Sequence, residues 1–124
     1  MDVSTDVPEG FQIINSYGPG VFRVSSVLWT CCIIITPERT VEWPISSFEN
    51  LQIKELEPVL CSSPVIEILL IGTGENMERV PSSLKEYGRK YGVGIDSMDT
   101  GAACRTYNVL LSEGRRVAAA LMVL

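Results

Sequence analysis

Apolar and polar residues fall in short blocks along the first third of the chain, then in longer blocks that alternate between two periodicities. Residues 11–14 are a brief apolar segment, and Tyr17-Gly18-Pro19-Gly20 is a dense turn signal. Residues 21–27 and 28–36 are rich in β-branched side chains, whose stiff χ1 suits a pleated backbone, and they predict two strands. Pro37-Glu38-Arg39 predicts a second turn. Residues 40–43 predict a short strand that stops at Pro44, which has no N–H for a ladder. Together these form an antiparallel meander. Over residues 47–63, Leu51, Ile53, Leu56, Val59 and Leu60 have partial helical spacing. Pro58 limits any helix there to a short one with Pro58 in its first turn.

The remainder alternates more clearly. Residues 65–71 predict a strand interrupted only by Glu67. Residues 81–91 predict a helix, with Pro81 and Ser82 as start signals and Gly92 as the stop. Residues 93–98 predict another strand. Thr100 is expected to cap a helix that runs to Glu113 and ends at Gly114. Residues 116–124 predict a last, apolar strand. Strand–helix–strand–helix–strand requires right-handed crossovers and parallel neighbours. The expected fold is therefore α/β. It is a compact three-layer single domain over residues 10–124, with N-terminal antiparallel strands followed by β-α-β-α-β and a mixed, largely parallel sheet. Residues 1–9, polar and containing Pro8, are expected to be a loose tail.

Composition narrows the chemistry more than the fold. A chain of 124 residues buries roughly two-thirds of its unfolded surface, enough for a core without metal or disulfide staples. The net charge is −5, and the closest approach to a basic run is Arg115-Arg116. Nucleic acid is therefore not an expected partner, because phosphate binding needs a basic stripe. Histidine is absent. That removes the usual Ser-His-Asp and Cys-His arrangements and every His-containing zinc site. Any acid–base chemistry would need carboxylates, Lys, Tyr or Cys with shifted pKa values. Cys31, Cys32, Cys61 and Cys104 include no C-x-x-C pair, so no thioredoxin-type motif or zinc ribbon is indicated. No metal, cofactor or catalytic set is expected. The cysteines read as reduced, mostly buried thiols of a cytoplasmic protein, with Cys31 and Cys32 pointing to opposite faces. The acidic start of the chain reads as neither a secretory signal nor a transit peptide. The longest apolar run, residues 27–35, is far shorter than the ~20 residues that span a bilayer, so no integral membrane segment is expected.

Four features are left to weigh. Ile71-Gly72-Thr73-Gly74 directly follows a buried strand, where glycines could turn backbone N–H groups outward as an anion nest. A dinucleotide fingerprint would need a glycine at position 77, which is Met77, and Glu75 and Glu78 add negative charge. The plainer reading is a tight exit turn from the strand. In the Thr100 helix, Ala103, Cys104, Tyr107, Leu110 and Leu111 share the core face. Arg105, Asn108 and Ser112 lie opposite, together with Ala102 and Val109. That surface suits a ligand rim, a protein contact or a solvated helix face. Cys104 lies near a helix N-terminus beside Arg105, which lowers a thiol pKa, but it faces the core and no histidine can serve it. Ser82-Ser83-Leu84-Lys85 has S-x-x-K spacing without the companion motifs of that enzyme class, and Ser82 is better read as a helix cap.

A family resemblance rests on these residues. Leu69-Leu70-Ile71-Gly72-Thr73-Gly74, the run Met98-Asp99-Thr100-Gly101-Ala102-Ala103-Cys104-Arg105-Thr106-Tyr107-Asn108-Val109-Leu110-Leu111, and Glu113-Gly114-Arg115 resemble the domain-of-unknown-function 498 family. Ser16-Tyr17-Gly18-Pro19-Gly20 and the strands after it also match. The resemblance covers nearly the whole chain and is carried mainly by the C-terminal run. It implies a compact three-layer α/β fold with mixed sheets and no established catalysis. The family includes a mitochondrial assembly factor for respiratory complex I. The resemblance therefore implies a non-enzymatic binding or assembly protein with a protein partner. The candidate surface is Gly72, Thr73, Gly74, Thr100, Arg105, Thr106 and Asn108. A small-molecule or anion-binding domain, with Arg105 as counter-charge to an acidic ligand at the glycine turn, is the alternative.

Overall fold

The structure, a computed structural model, describes residues 7–124. Its first two strands form a hairpin. Strand β1 (Ile14–Gly18) turns at Pro19-Gly20 and pairs antiparallel with β2 (Val21–Val24). The expected turn at 17–20 is thus narrower, because Tyr17 and Gly18 belong to the strand. The run expected as one strand over 21–27 is broken. Ser25 and Ser26 adopt φ of 46° and 73°, the left-handed pair that a two-residue hairpin requires, and β3 (Val27–Trp29) returns along β2. These strands form a three-stranded sheet in the order β1-β2-β3.

The second expected strand, 28–36, is also two strands, and they lie in different sheets. Val27 and Leu28 of β3 are exposed, whereas β4 (Ile33–Ile35) is buried on both faces. Such an apolar run is stable only inside a layered sheet. β4 pairs antiparallel with β5 (Thr40–Glu42) and with the last strand, β8 (Val117–Leu121). β8 runs parallel to β6 (Ile68–Gly72), which runs parallel to β7 (Gly94–Met98). The sheet is therefore mixed, in the order β5-β4-β8-β6-β7.

Alternation along these strands builds two cores. On one face, Ile34, Leu69, Ile71, Ala118 and Ala120 pack with Leu84 of α2 (Ser82–Lys90) and with Trp43, Leu56, Val59 and Ile66 from the 43–66 segment. That segment holds two 3-10 turns and the short helix α1 (Glu57–Leu60), with Pro58 in its first turn as expected. On the other face, Ile33, Ile35, Leu70, Val117, Ala119 and Leu121 pack with α3 (Thr100–Ser112) and the three-stranded sheet. This is the expected three-layer α/β domain. Of the expected tail, residues 1–6 lie outside the described residues, and Val7 packs against the α3-side core. No helix among the described residues is long and apolar enough to cross a membrane.

Two helix starts need correction. Pro81 is the N-cap of α2, and Ser82, expected as the cap, is its first helical residue. The N-cap of α3 is Asp99, not Thr100. Asp99 has extended backbone, and its carboxylate accepts a hydrogen bond from the Ala102 N–H at 2.9 Å. Thr100 is the first helical residue, and its side chain is turned inward and fully buried.

Candidate functional site

Parallel pairing places Gly72 opposite Met98, so the glycine turn and the start of α3 meet at one end of the sheet. They meet by bonding to each other. The Thr73 N–H donates to the Met98 carbonyl at 3.0 Å, and the Gly74 N–H donates to Thr100 Oγ1 at 2.9 Å. The Thr100 N–H donates back to the Gly74 carbonyl at 2.8 Å, and its hydroxyl donates to the Met122 carbonyl at 2.8 Å. The Thr73 hydroxyl donates to the Asn76 carbonyl and accepts from the Glu78 N–H, winding the following loop around itself. The N–H groups of Thr73 and Gly74 are therefore turned inward to protein acceptors. Gly72 is held to glycine by contact. A Cβ there would come within 2.9 Å of Leu121 Cδ2 and 3.0 Å of both the Cα and Oγ1 of Thr100.

The outer side of α3 is divided. Ala103, Cys104, Tyr107 and Leu111 are buried as the helical period requires, while Leu110 is half-buried. Asn108 is half-buried against β1 rather than turned to water. Its carboxamide accepts from the Ile14 N–H at 3.1 Å and donates to the Ile14 carbonyl at 2.8 Å, as a neighbouring strand would. The Tyr107 hydroxyl donates to the Gln12 carbonyl at 2.9 Å, and burial raises its pKa. Thr106 is half-buried and makes no side-chain hydrogen bond among the described residues. Arg105 and Val109 face outward and are exposed.

Arg105 has a partner that the sequence pattern did not single out. Its Nη1 donates to the Tyr17 hydroxyl, bringing residues 88 apart in the chain together. Gly101 makes room for this. A Cβ there would lie 3.2 Å from the Tyr17 ring and 3.3 Å from Arg105 Nη1. Beside the pair is a shallow hollow of about 310 Å³, lined by Ile14, Asn15, Ser16, Tyr17, Cys104, Arg105 and Asn108. The register shift in β1 between Ile14 and Ser16 sets its wall. Tyr17 sits inside a turn motif, which hides its strand placement and its reach to α3. Residues 72–74 do not line this hollow. The candidate residues thus separate into a strand-end staple and an outward face.

The thiol at the hollow is held in its neutral form. Burial pushes the Cys104 thiol up to about 12, outweighing the lowering by Arg105, with Asp99 adding a small rise. At neutral pH it is a protonated, packed thiol, not a nucleophile. A larger groove of about 710 Å³ lies on the opposite face of the central sheet, between β4–β5 and α1, with Ile34, Val41, Pro58 and Val59 among its lining. No group of three or more His, Cys, Asp or Glu side chains among the described residues could hold a metal ion.

The fold recurs in related proteins. Over 114 residues the chain is 34% identical to a Xenopus tropicalis protein named NADH dehydrogenase (ubiquinone) 1 alpha subcomplex assembly factor 3; the match covers 90% of this chain and 61% of that one. The chain thus spans about three-fifths of the length of that relative. A crystal structure of a Bordetella parapertussis protein superposes with a TM-score of 0.86 at 32% identity, covering 94% of this chain and all of that one. A Bordetella pertussis solution structure described as a Mth938-like domain gives 0.82 at 28% identity, covering 98% of this chain and 92% of that one. The model of the family described as protein of unknown function DUF498/DUF598 matches residues 14–122, from the first residue of β1 to the residue after β8. The chain belongs to that family.

Proposed function

We propose that this protein is a non-catalytic assembly or binding factor that acts by holding a protein partner, in a respiratory or other membrane-associated complex. The observation that carries the reading is the similarity, across 90% of the chain, to a protein named as a complex I assembly factor. The chemistry of the site is consistent with it: Cys104 is a buried, protonated thiol, and the sequence has no histidine to serve as a base. In this reading Gly72, Thr73, Gly74 and Thr100 are scaffold. They fix the start of α3, while Arg105, Thr106 and the rim around Asn108 form the contact face.

The test is genetic and biochemical. Deleting the gene in its native host is expected to lower mature complex I on native gels and to accumulate subcomplexes. The tagged chain is expected to co-purify with a subunit or another assembly factor. Unchanged complex I together with no co-purifying partner would sink the proposal.

A further inference from the structure

Resting on the assembly reading above, we propose that Arg105 receives a carboxylate from the partner polypeptide, with Val109 as the adjoining apolar contact. Arg105 is an exposed cation in a chain of net charge −5. Among the described residues no carboxylate forms an ion pair with it. Its side chain makes one hydrogen bond there, from Nη1 to the Tyr17 hydroxyl. A guanidinium has five N–H donors in a fixed fork, so most of them still face outward. The other residues lining the hollow are Ile14, Asn15, Ser16, Tyr17, Cys104 and Asn108, and none of them is an acid. The acid closest along the helix, Asp99, turns a carboxylate oxygen onto the Ala102 N–H as the cap of α3. Among the described residues, the lining of the hollow thus holds one cation and no acid.

The fork is also held in place. The Tyr17 ring lies against Gly101, and ring and guanidinium meet where a side chain at 101 would stand. A fork that is already oriented loses less freedom when it binds. A single guanidinium matches a single planar carboxylate through two parallel N–H···O bonds. A phosphate dianion would bring a second negative charge that nothing in the hollow meets. Val109 lies one helical turn beyond Arg105 and is 49% exposed. Cation and apolar side chain thus occupy one ridge of α3. Their complement is a segment with Asp or Glu beside an apolar residue.

The experiment uses the full chain in native lysate. Val109→p-benzoylphenylalanine is photo-cross-linked, and the captured peptide is mapped by mass spectrometry. The expected peptide contains Asp or Glu. Arg105→Glu is expected to weaken co-purification roughly tenfold or more, and Arg105→Lys less. Reversing the mapped acid to Lys in the partner is expected to restore binding to Arg105→Glu. An unchanged melting temperature shows that Arg105→Glu still folds, and should it not, Arg105→Gln serves instead. If wild type and Arg105→Glu hold the partner equally, this proposal fails while the assembly reading stands. A cross-link to the chain itself or to a second copy also overturns it. So does Arg105-dependent displacement of the partner by inorganic phosphate, which would mark a free-anion site. If wild type recovers no partner at all, both readings fall.

Discussion

Thr100→Val tests whether the glycine turn and α3 are joined by the buried hydroxyl. The two side chains are nearly the same size, so the substitution keeps the packing and removes only the hydroxyl. In the native fold that hydroxyl donates to the Met122 carbonyl at 2.8 Å and accepts from the Gly74 N–H at 2.9 Å. Thr100 is 0% exposed and Met122 is 9% exposed, so the Met122 carbonyl loses a partner where water has little access. An unsatisfied buried group costs about 1–3 kcal/mol. Gly74 is half-buried, and its N–H can turn to water, which adds about 1 kcal/mol for the lost bond. The sum is about 2–4 kcal/mol. Thr100→Ser provides the contrast. It keeps both hydrogen bonds and loses one methyl, at about 1 kcal/mol. Urea titration followed by circular dichroism reads both, with an unchanged m-value as the check that only stability moved. In thermal melts each kcal/mol corresponds to about 4 °C for a domain of this size. The expected order is wild type, then Ser, then Val. If Thr100→Val is as stable as wild type, or less damaging than Thr100→Ser, the hydroxyl does not staple the strand end to the helix.

Gly72→Ala should cost about 1–3 kcal/mol in the same titration, because the new Cβ meets the Thr100 backbone at 3.0 Å and that atom cannot swing aside. Asn108→Ala removes both bonds to Ile14 and should raise hydrogen exchange at the Ile14 amide, while β7 amides stay protected. Iodoacetamide at mildly alkaline pH should modify the exposed Cys61 well before Cys104, whose pKa of about 12 keeps it protonated; equal rates would contradict the packing of α3. Glu38 is held below the usual carboxylate range by hydrogen bonds from Arg116. A lowered folded pKa gives stability that is present above the unfolded value and lost as pH falls through the folded one. Wild type should therefore lose stability below about pH 4.5, and Glu38→Gln should show a shallower acid limb in melting temperature against pH.

Much of this protein was legible in the sequence, and the part that was follows from local physics. The 3.6-residue spacing of Ala103, Cys104, Tyr107 and Leu111 sets the inner face of α3. The uninterrupted apolar runs at β6 and β8 mark strands covered on both faces. Pro58 and Gly114 mark helix limits because their backbone restrictions act within a turn or two. What tertiary structure alone decided is where such pieces face a partner distant in the chain. The division of residues 28–36 between two sheets depends on which strand has a layer on each side, and no local periodicity records that. Asp99 displaced Thr100 as the cap because the Thr100 hydroxyl had two backbone partners, Gly74 and Met122, at 26 and 22 residues' distance. Asn108 lies on the polar side of a helical wheel, yet its carboxamide closes the edge of β1, 94 residues away. Arg105 kept its outward place, and only the fold brought Tyr17 to it across Gly101. Sequence periodicity states which side of an element is apolar. Hydrogen-bond partners between elements are set by register and layer order, which exist only once the chain has folded.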